Sequence, residues 1–291
     1  MNRILITGAS GFTGIHACRY FSQKGYDVTG TSRSIPDKPA VRWIPSDLRD
    51  KEAVFQMISD TKPDRILHLA GMSHAGKSWG DPAGTIEANV LPALYLLEAV
   101  RKMVPSCRLL ITGSALEADP KAPPHPYSLS KTLQTLSALG FSSLYNLHVV
   151  IAKPSNLIGP GHSQGVCSTF ARKIAEAAGQ SGAADLHLPN PRAKRDFIDV
   201  RDAAAAYEIL LENGTAGTVY DVCSGVHRTI LEIAETYKQI LPDAVRIEAA
   251  SQGQRDASIP GSPAFLMKLG WKPAYSFTDS LKDTLAFYTN T

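Results

Sequence analysis

The sequence predicts an α/β fold: a doubly wound parallel sheet followed by a smaller C-terminal α/β region. Three observations predict it. Short aliphatic runs alternate with helical patterns and short connections up to Pro154, the rhythm of strands laid in parallel with helices on both faces. The first run, Ile4-Leu5-Ile6-Thr7, breaks into glycines at Gly8, Gly11 and Gly14 just before a helical pattern begins. After Pro154-Ser155-Asn156 the segments become shorter and less regular. The expected division is residues 1–154 as one domain and 155–291 mainly as a second, with segments near 196–225 returning to the first.

The elements follow in order. After the first helix (Ile15 to Lys24), Asp27 to Thr31 reads as a second strand ending in Ser32-Arg33-Ser34, and Val41 to Pro45 as a third with Ser46-Asp47-Leu48 at its tip. A helix from Lys51 to Asp60 leads to the buried strand Arg65 to Gly71, whose end is small. Asp81-Pro82 caps a long helix to Met103, expected to be interrupted at Pro92. Strand Arg108 to Thr112 ends in Gly113-Ser114, and a proline-rich connection brings Tyr127 to Lys131 into a helix reaching about Tyr145. Strand His148 to Pro154 closes this part. Beyond it lie a helix near Thr169 to Ala178, a loop-rich stretch to Val200, a helix from Arg201 to Glu212 and a strand from Thr218 to Val222. Helices from Ile230 to Leu241 and from Asp279 to Tyr288 follow.

At 291 residues the chain is long enough for a sizeable core, and with 44% hydrophobic and 20% charged residues it reads as globular rather than disordered. The net charge of +3, without a basic tract, argues against a nucleic-acid or membrane-surface partner. No apolar run approaches the ~18–20 residues of a membrane span, and the N-terminus reads as a strand rather than a signal. The four cysteines are far apart and form no C-x-x-C, which argues against a disulfide framework or zinc site; a reduced, cytoplasmic protein is expected. No histidine pair has metal-ligand spacing, so no metal is expected.

A strand running through a glycine turn into a helix turns backbone N–H groups and the positive end of the helix dipole toward an anion, here a pyrophosphate. At the end of the second strand an acidic residue would bind the ribose 2′-hydroxyl of NAD. That place holds Arg33 between serines, which favours NADP over NAD. Tyr127 and Lys131, four apart at a helix start, share one face. An ammonium beside the phenol is expected to lower its pKa from ~10 and make it a general acid or base.

TGASGFTG (7–14), the HLAG strand end (68–71), Ser114 and YSLSK (127–131) together resemble the extended short-chain dehydrogenase/reductase family, in its sugar-nucleotide epimerase/dehydratase/reductase branch. NPRAKRDFIDVRD (190–202), GTVYDVCSG (217–225) and LGWKP (269–273) resemble its GDP-mannose dehydratase and GDP-4-keto-6-deoxy-mannose reductase subgroup. The resemblance implies a Rossmann-type domain with a substrate-binding C-terminal domain, an NADP(H) cofactor with NAD(H) as the alternative, a nucleotide-linked sugar as substrate, and a homodimer built on the helices Ala83–Met103 and Tyr127–Tyr145. It implies that Gly8, Gly11 and Gly14 hold the pyrophosphate and Arg33 the 2′-phosphate, that Phe12, Thr13 and Ser32 also contact the cofactor, and that Asp47 and Leu48 flank the adenine. Leu69, Ala70, Gly71 and Pro154 would line the cofactor. Tyr127 would be the proton donor, Lys131 the ligand of the nicotinamide ribose, and Ser114 the partner of the reacting sugar oxygen. Ser73, Asn156, Arg195 and Arg255 would hold the sugar nucleotide.

One departure narrows the activity. Dehydratases of this family carry acidic residues just after the catalytic Ser/Thr, whereas Ser114 is followed by Ala115 and Leu116, with Glu117 reading as solvated. This argues against dehydration and leaves a nucleotide-sugar 4-ketoreductase or a C4 epimerase using NAD. A cofactor-binding redox sensor is the non-catalytic alternative.

Overall fold

In the computed structural model, which describes residues 2–36, 40–180, 182–250 and 261–290, the alternation becomes a seven-stranded sheet. In chain order the elements are β1 (Arg3–Thr7), α1 (Phe12–Gln23), β2 (Asp27–Ser32), β3 (Arg42–Pro45), α2 (Lys51–Thr61), β4 (Arg65–His68), α3 (Ala75–Ser78) and α4 (Pro82–Met103). They continue with β5 (Arg108–Thr112), α5 (Pro126–Tyr145), β6 (Val149–Pro154), β7 (Asn156–Ile158), α6 (Val166–Gly179), β8 (Ala184–Leu188), β9 (Lys194–Asp199) and α7 (Val200–Asn213). The last are β10 (Val219–Val222), β11 (His227–Thr229), α8 (Ile230–Ile240), β12 (Val245–Ala249), α9 (Ala264–Lys268) and α10 (Phe277–Thr289).

The large sheet runs β10-β6-β5-β4-β1-β2-β3, and the pairs from β3 through β1 to β6 are parallel. A parallel sheet covered on both faces needs apolar side chains on both. Accordingly Ile4, Leu5 and Ile6 of β1, Leu109 to Ile111 of β5 and Val149 to Ile151 of β6 are no more than 1% exposed.

The chain forms two compact units: Met1–Pro154 with Ala204–Asp221 and Lys268–Trp271, and Ser155–Ala203 with Val222–Met267 and Lys272–Thr291. In the first, a core of residues such as Leu5, Ile58, Ile66, Leu96, Val100, Ile111 and Val149 joins the sheet to α2, α4 and α5. In the second, Phe170, Ile174, Leu186, Phe197, Ile233, Tyr237 and Leu281 form a separate core. It carries a three-stranded sheet ordered β11-β9-β7 and the parallel pair β8–β12.

Two expectations are corrected. α4 runs through Pro92 without interruption, because Ala93, Leu96, Leu97 and Val100 are fully buried and that burial outweighs one missing backbone donor. The stretch between Ala178 and Val200, read as loop-rich, contains β8 and β9. β8 alternates buried and exposed positions, with Asp185 and His187 outward, so no continuous apolar run marks it. Among the described residues no helix is long and apolar enough to cross a membrane, and all four cysteines are free and buried.

Candidate active site

The first unit places its chemistry at the C-terminal ends of β1, β4 and β5, where open parallel sheets bind ligands. After β1, Gly8 adopts φ 68°, a left-handed conformation that favours glycine. A Cβ on Gly8 would come within 2.7 Å of the Ala70 backbone nitrogen, so the turn lies directly on the strand end that follows β4. A Cβ on Gly14 would come within 2.6 Å of Ala9 Cα, so α1 seats on the turn only because that atom is missing. Gly11 is the N-cap of α1 and provides no side-chain acceptor, and no acidic residue lies in the first turn. The opening N–H groups of α1 are thus open to an external anion. This cradle fits a dinucleotide pyrophosphate.

β4 ends at His68, and its continuation is held by side chains. Thr7 Oγ1 accepts the Ala70 N–H at 3.2 Å and shares a 2.7 Å hydrogen bond with His68 Nδ1. Asn89, fully buried on α4, accepts the Met72 N–H at 2.8 Å and donates to Ser130 Oγ at 2.8 Å. Ser130 Oγ in turn donates to the Tyr127 carbonyl at 2.8 Å. Ser78 Oγ accepts the Tyr127 N–H at 3.1 Å. The loop after β4 and the first turn of α5 are therefore one hydrogen-bonded body.

α5 begins with His125 as N-cap, its Nδ1 accepting the Ser128 N–H at 2.9 Å, and with Pro126 in the first turn. That start places Tyr127 and Lys131 on the face turned to the end of β5. Tyr127 and Ser114 are each 7% exposed and Lys131 5%. The Ser114 hydroxyl lies close enough to the Tyr127 phenol to favour its ionised form. Lys131 Nζ donates to the Thr112 carbonyl and to Gln134 Oε1, both at 2.6 Å.

The expected lowering of the Tyr127 pKa is not found. Burial pushes the phenol above its ordinary value, the nearby Ser114 hydroxyl opposes this and the Glu117 charge reinforces it. Lys131 is held by Thr112 and Gln134 rather than by the phenol, and burial brings its own pKa down to about 8, against the opposing effect of Glu117. Glu117, read as solvated, has a side chain only 6% exposed and forms a 2.9 Å ion pair with Lys153.

The other expected residues are distributed as follows. Phe12 and Thr13 open α1, half-buried. Ser32 ends β2 and bonds to the Ser34 carbonyl at 2.7 Å; Arg33 is exposed just beyond. Asp47 receives the Arg49 guanidinium at 3.1 and 2.7 Å, which holds its carboxyl down at about 2. Leu48 is packed into the core. Leu69 and Ala70 are half-buried, Gly71 and Ser73 lie exposed on the loop after β4, and Pro154 ends β6. In the second unit, Asn156 and Arg195 stand on the neighbouring strands β7 and β9. Asn156 Nδ2 donates to the Asp196 carbonyl at 2.9 Å, and Arg195 Nη1 to the Lys194 carbonyl at 2.8 Å. Arg255 lies outside the described residues. Sequence reading missed Ser78, Asn89, Ser130 and Lys153, since each acts through a partner far away in the chain or through a buried carbonyl, and Gln134, whose contact is with Lys131 one turn before it on α5.

Residues 4–223 match the NAD dependent epimerase/dehydratase family. The chain belongs to that family. Its members are NAD(P)-dependent enzymes, which agrees with the glycine cradle. The chain is 31% identical to the GDP-6-deoxy-D-mannose reductase of Pseudomonas aeruginosa, over 98% of this chain and 96% of that protein. It is 26% identical to a dTDP-glucose 4,6-dehydratase of Xanthomonas campestris pv. campestris, over 98% and 92%. Among solved structures, RMD from Pseudomonas aeruginosa complexed with NADPH superposes with a TM-score of 0.85 at 28% identity, covering 100% of this chain and 98% of that one.

Proposed function

We propose that the chain is an NADPH-dependent reductase of the C4 keto group in a nucleotide-linked 4-keto-6-deoxy sugar, with a GDP-sugar as first choice. The observation that carries this reading is the segment after Ser114. Elimination of water needs an added acid and base beside the reacting sugar, but Ala115 and Leu116 are exposed and apolar, and the next acid, Glu117, is turned inward onto Lys153. Carbonyl reduction needs neither. The reductase of Pseudomonas aeruginosa supports the choice of GDP-sugar.

In this reading Gly8, Gly11, Phe12, Thr13 and Gly14 hold the pyrophosphate, Ser32 and Arg33 the 2′-phosphate, Asp47 and Leu48 the adenine side, and Leu69, Ala70, Gly71 and Pro154 the nicotinamide side. When bound, the reduced nicotinamide supplies a hydride to the sugar C4. Ser114 donates a hydrogen bond to the C4 oxygen, and Tyr127, kept neutral by burial, gives that oxygen its proton as negative charge develops. Lys131, four residues along the same helix face, holds the ribose and compensates the phenolate that remains. Ser73, Asn156, Arg195 and Arg255 are assigned to the sugar nucleotide. A homodimer through α4 and α5 belongs to the same reading, with Leu136 and Leu144 of α5 exposed.

The test is NADPH oxidation followed with GDP-, UDP-, dTDP- and CDP-linked 4-keto-6-deoxy sugars. Turnover strongest with the GDP-sugar is expected. Tightly retained NAD with C4 epimerisation and no net NADPH consumption would overturn the reading in favour of an epimerase.

A further inference from the structure

Among the described residues Glu117 is the carboxylate withdrawn beside Ser114 and Tyr127, and the fold is cut to receive it. One oxygen, Oε1, accepts the Ser114 N–H at 2.8 Å and the Thr135 hydroxyl at 3.0 Å; the other, Oε2, meets Lys153 Nζ at 2.9 Å. The Glu117 N–H closes the turn by donating to the Ser114 carbonyl at 3.1 Å, and the Leu116 N–H donates to Ser114 Oγ at 3.1 Å. Gly113 is the second observation. A Cβ there would overlap Glu117 Oε1 and stand 3.1 Å from Thr135 Oγ1, so a glycine immediately before Ser114 provides the space the carboxylate fills.

We propose that Glu117, paired with Lys153, is the positioning residue of this site: it fixes the Ser114 backbone from behind and sets the charge balance around Tyr127 and Lys131. The inference rests on Tyr127 and Ser114 serving the reduction proposed above. Lys153, on β6, anchors the carboxylate at 26% exposure. From α5, Tyr127 and Lys131 both feel the Glu117 charge, and His68 on β4 faces Lys131. A negative charge here favours the protonated form of both α5 groups: the neutral phenol that donates, and the ammonium that compensates after donation. Glu117 touches no reacting atom in this scheme. It acts through Ser114 and through the field.

The direct test is the Lys131 titration in the free protein, followed by NMR of its side chain and assigned against Lys131→Met. In the parent protein burial is expected to set the midpoint at about 8. Glu117→Gln keeps the size and the Ser114 contact but removes the charge, and it lowers the midpoint by about one unit. Lys153→Met removes the counter-charge and moves the midpoint upward. Opposite signs in the two folded variants support the inference; an unmoved midpoint in either, or movement of both in one direction, overturns it. If Glu117→Gln does not fold, the Lys153→Met midpoint alone decides by its sign. In turnover, Glu117→Gln lowers kcat with KM little changed and shifts the alkaline limb of the reduction profile to lower pH. The NMR readout needs no sugar, so a protein that reduces no 4-keto sugar yet shows both shifts refutes the substrate reading and leaves the role of Glu117 standing.

Discussion

The glycine turn and the Ser114–Tyr127–Lys131 cluster lie in the same unit and are built on opposite principles. The turn works by lacking side chains: Gly8 and Gly14 let backbone pack on backbone, and no side chain caps the N–H groups that open α1. The cluster works by burying side chains that water would otherwise level. Tyr127, Lys131 and Glu117 are all nearly out of solvent, and Lys131 and Glu117 are each held by specific partners. A site made of backbone geometry fails when an atom is added; one made of buried polar groups fails when an atom or a charge is removed.

The largest effect tests the second kind of site. Tyr127→Phe removes only the phenolic oxygen, so kcat is expected to fall by ~10²–10⁴, while NADPH affinity, followed by fluorescence titration, stays within about twofold of the parent because the cofactor cradle is untouched. Unchanged kcat would remove Tyr127 from the chemistry.

The turn is broken the other way. Gly14→Ala adds one carbon where the Gly8 carbonyl and Ala9 Cα already lie, backbone atoms that cannot swing aside. The expected cost is roughly 1–3 kcal/mol of stability in urea unfolding, together with at least about tenfold weaker NADPH binding as α1 lifts from the turn. Stability and affinity thus fall together here, whereas Tyr127→Phe separates binding from turnover. A Gly14→Ala protein with parent stability would show that the close approach of α1 is dispensable.

His68 joins the two sites, since it bonds to Thr7 at the turn and faces Lys131. Burial and the Lys131 charge bring its pKa down to about 3 from the ordinary 6.5. The unfolded chain takes up a proton below 6.5 that the folded chain refuses. The stability contributed by neutral His68 is therefore present above pH 6.5 and lost as the pH falls toward 3, by about 1.4 kcal/mol per pH unit. In His68→Asn this part of the acid dependence disappears; identical slopes for the two proteins in unfolding measured from pH 7 to 4 would contradict it.

Much of this contrast was legible in the sequence. Gly8, Gly11 and Gly14 are contiguous with the strand and helix they join, and Tyr127 and Lys131 are separated by one helical turn, so local spacing carries both signals. The parallel sheet was equally readable, because strands buried on both faces appear as apolar runs. What was not legible depends on distant pairs. Glu117 looked solvated because its counter-charge Lys153 comes from β6, and Lys131 looked like a partner of Tyr127 because the Thr112 carbonyl that accepts its hydrogen bond leaves no trace in side-chain pattern. β7, β8, β9, β11 and β12 were passed over since the strands of the second unit are short or alternate with exposed polar residues.

The smallest effect concerns the rim of the turn site, where a side chain does the reading. Arg33 is exposed after β2, and the carboxylate of Asp47, close enough to feel its charge, is already engaged by both arms of Arg49. In the proposed reading Arg33 is the charge that meets the 2′-phosphate, in solvent and screened by salt, so its contribution is modest. Arg33→Ala is expected to weaken NADPH binding about five- to tenfold and leave NADH binding unchanged, with the difference shrinking as ionic strength rises through the range where the Debye length falls below ~8 Å. Kd values for both cofactors at two salt concentrations measure this. Equal losses for NADPH and NADH would mean that Arg33 supports the loop rather than reads the phosphate, and the preference for NADP would then have to come from the backbone of the turn.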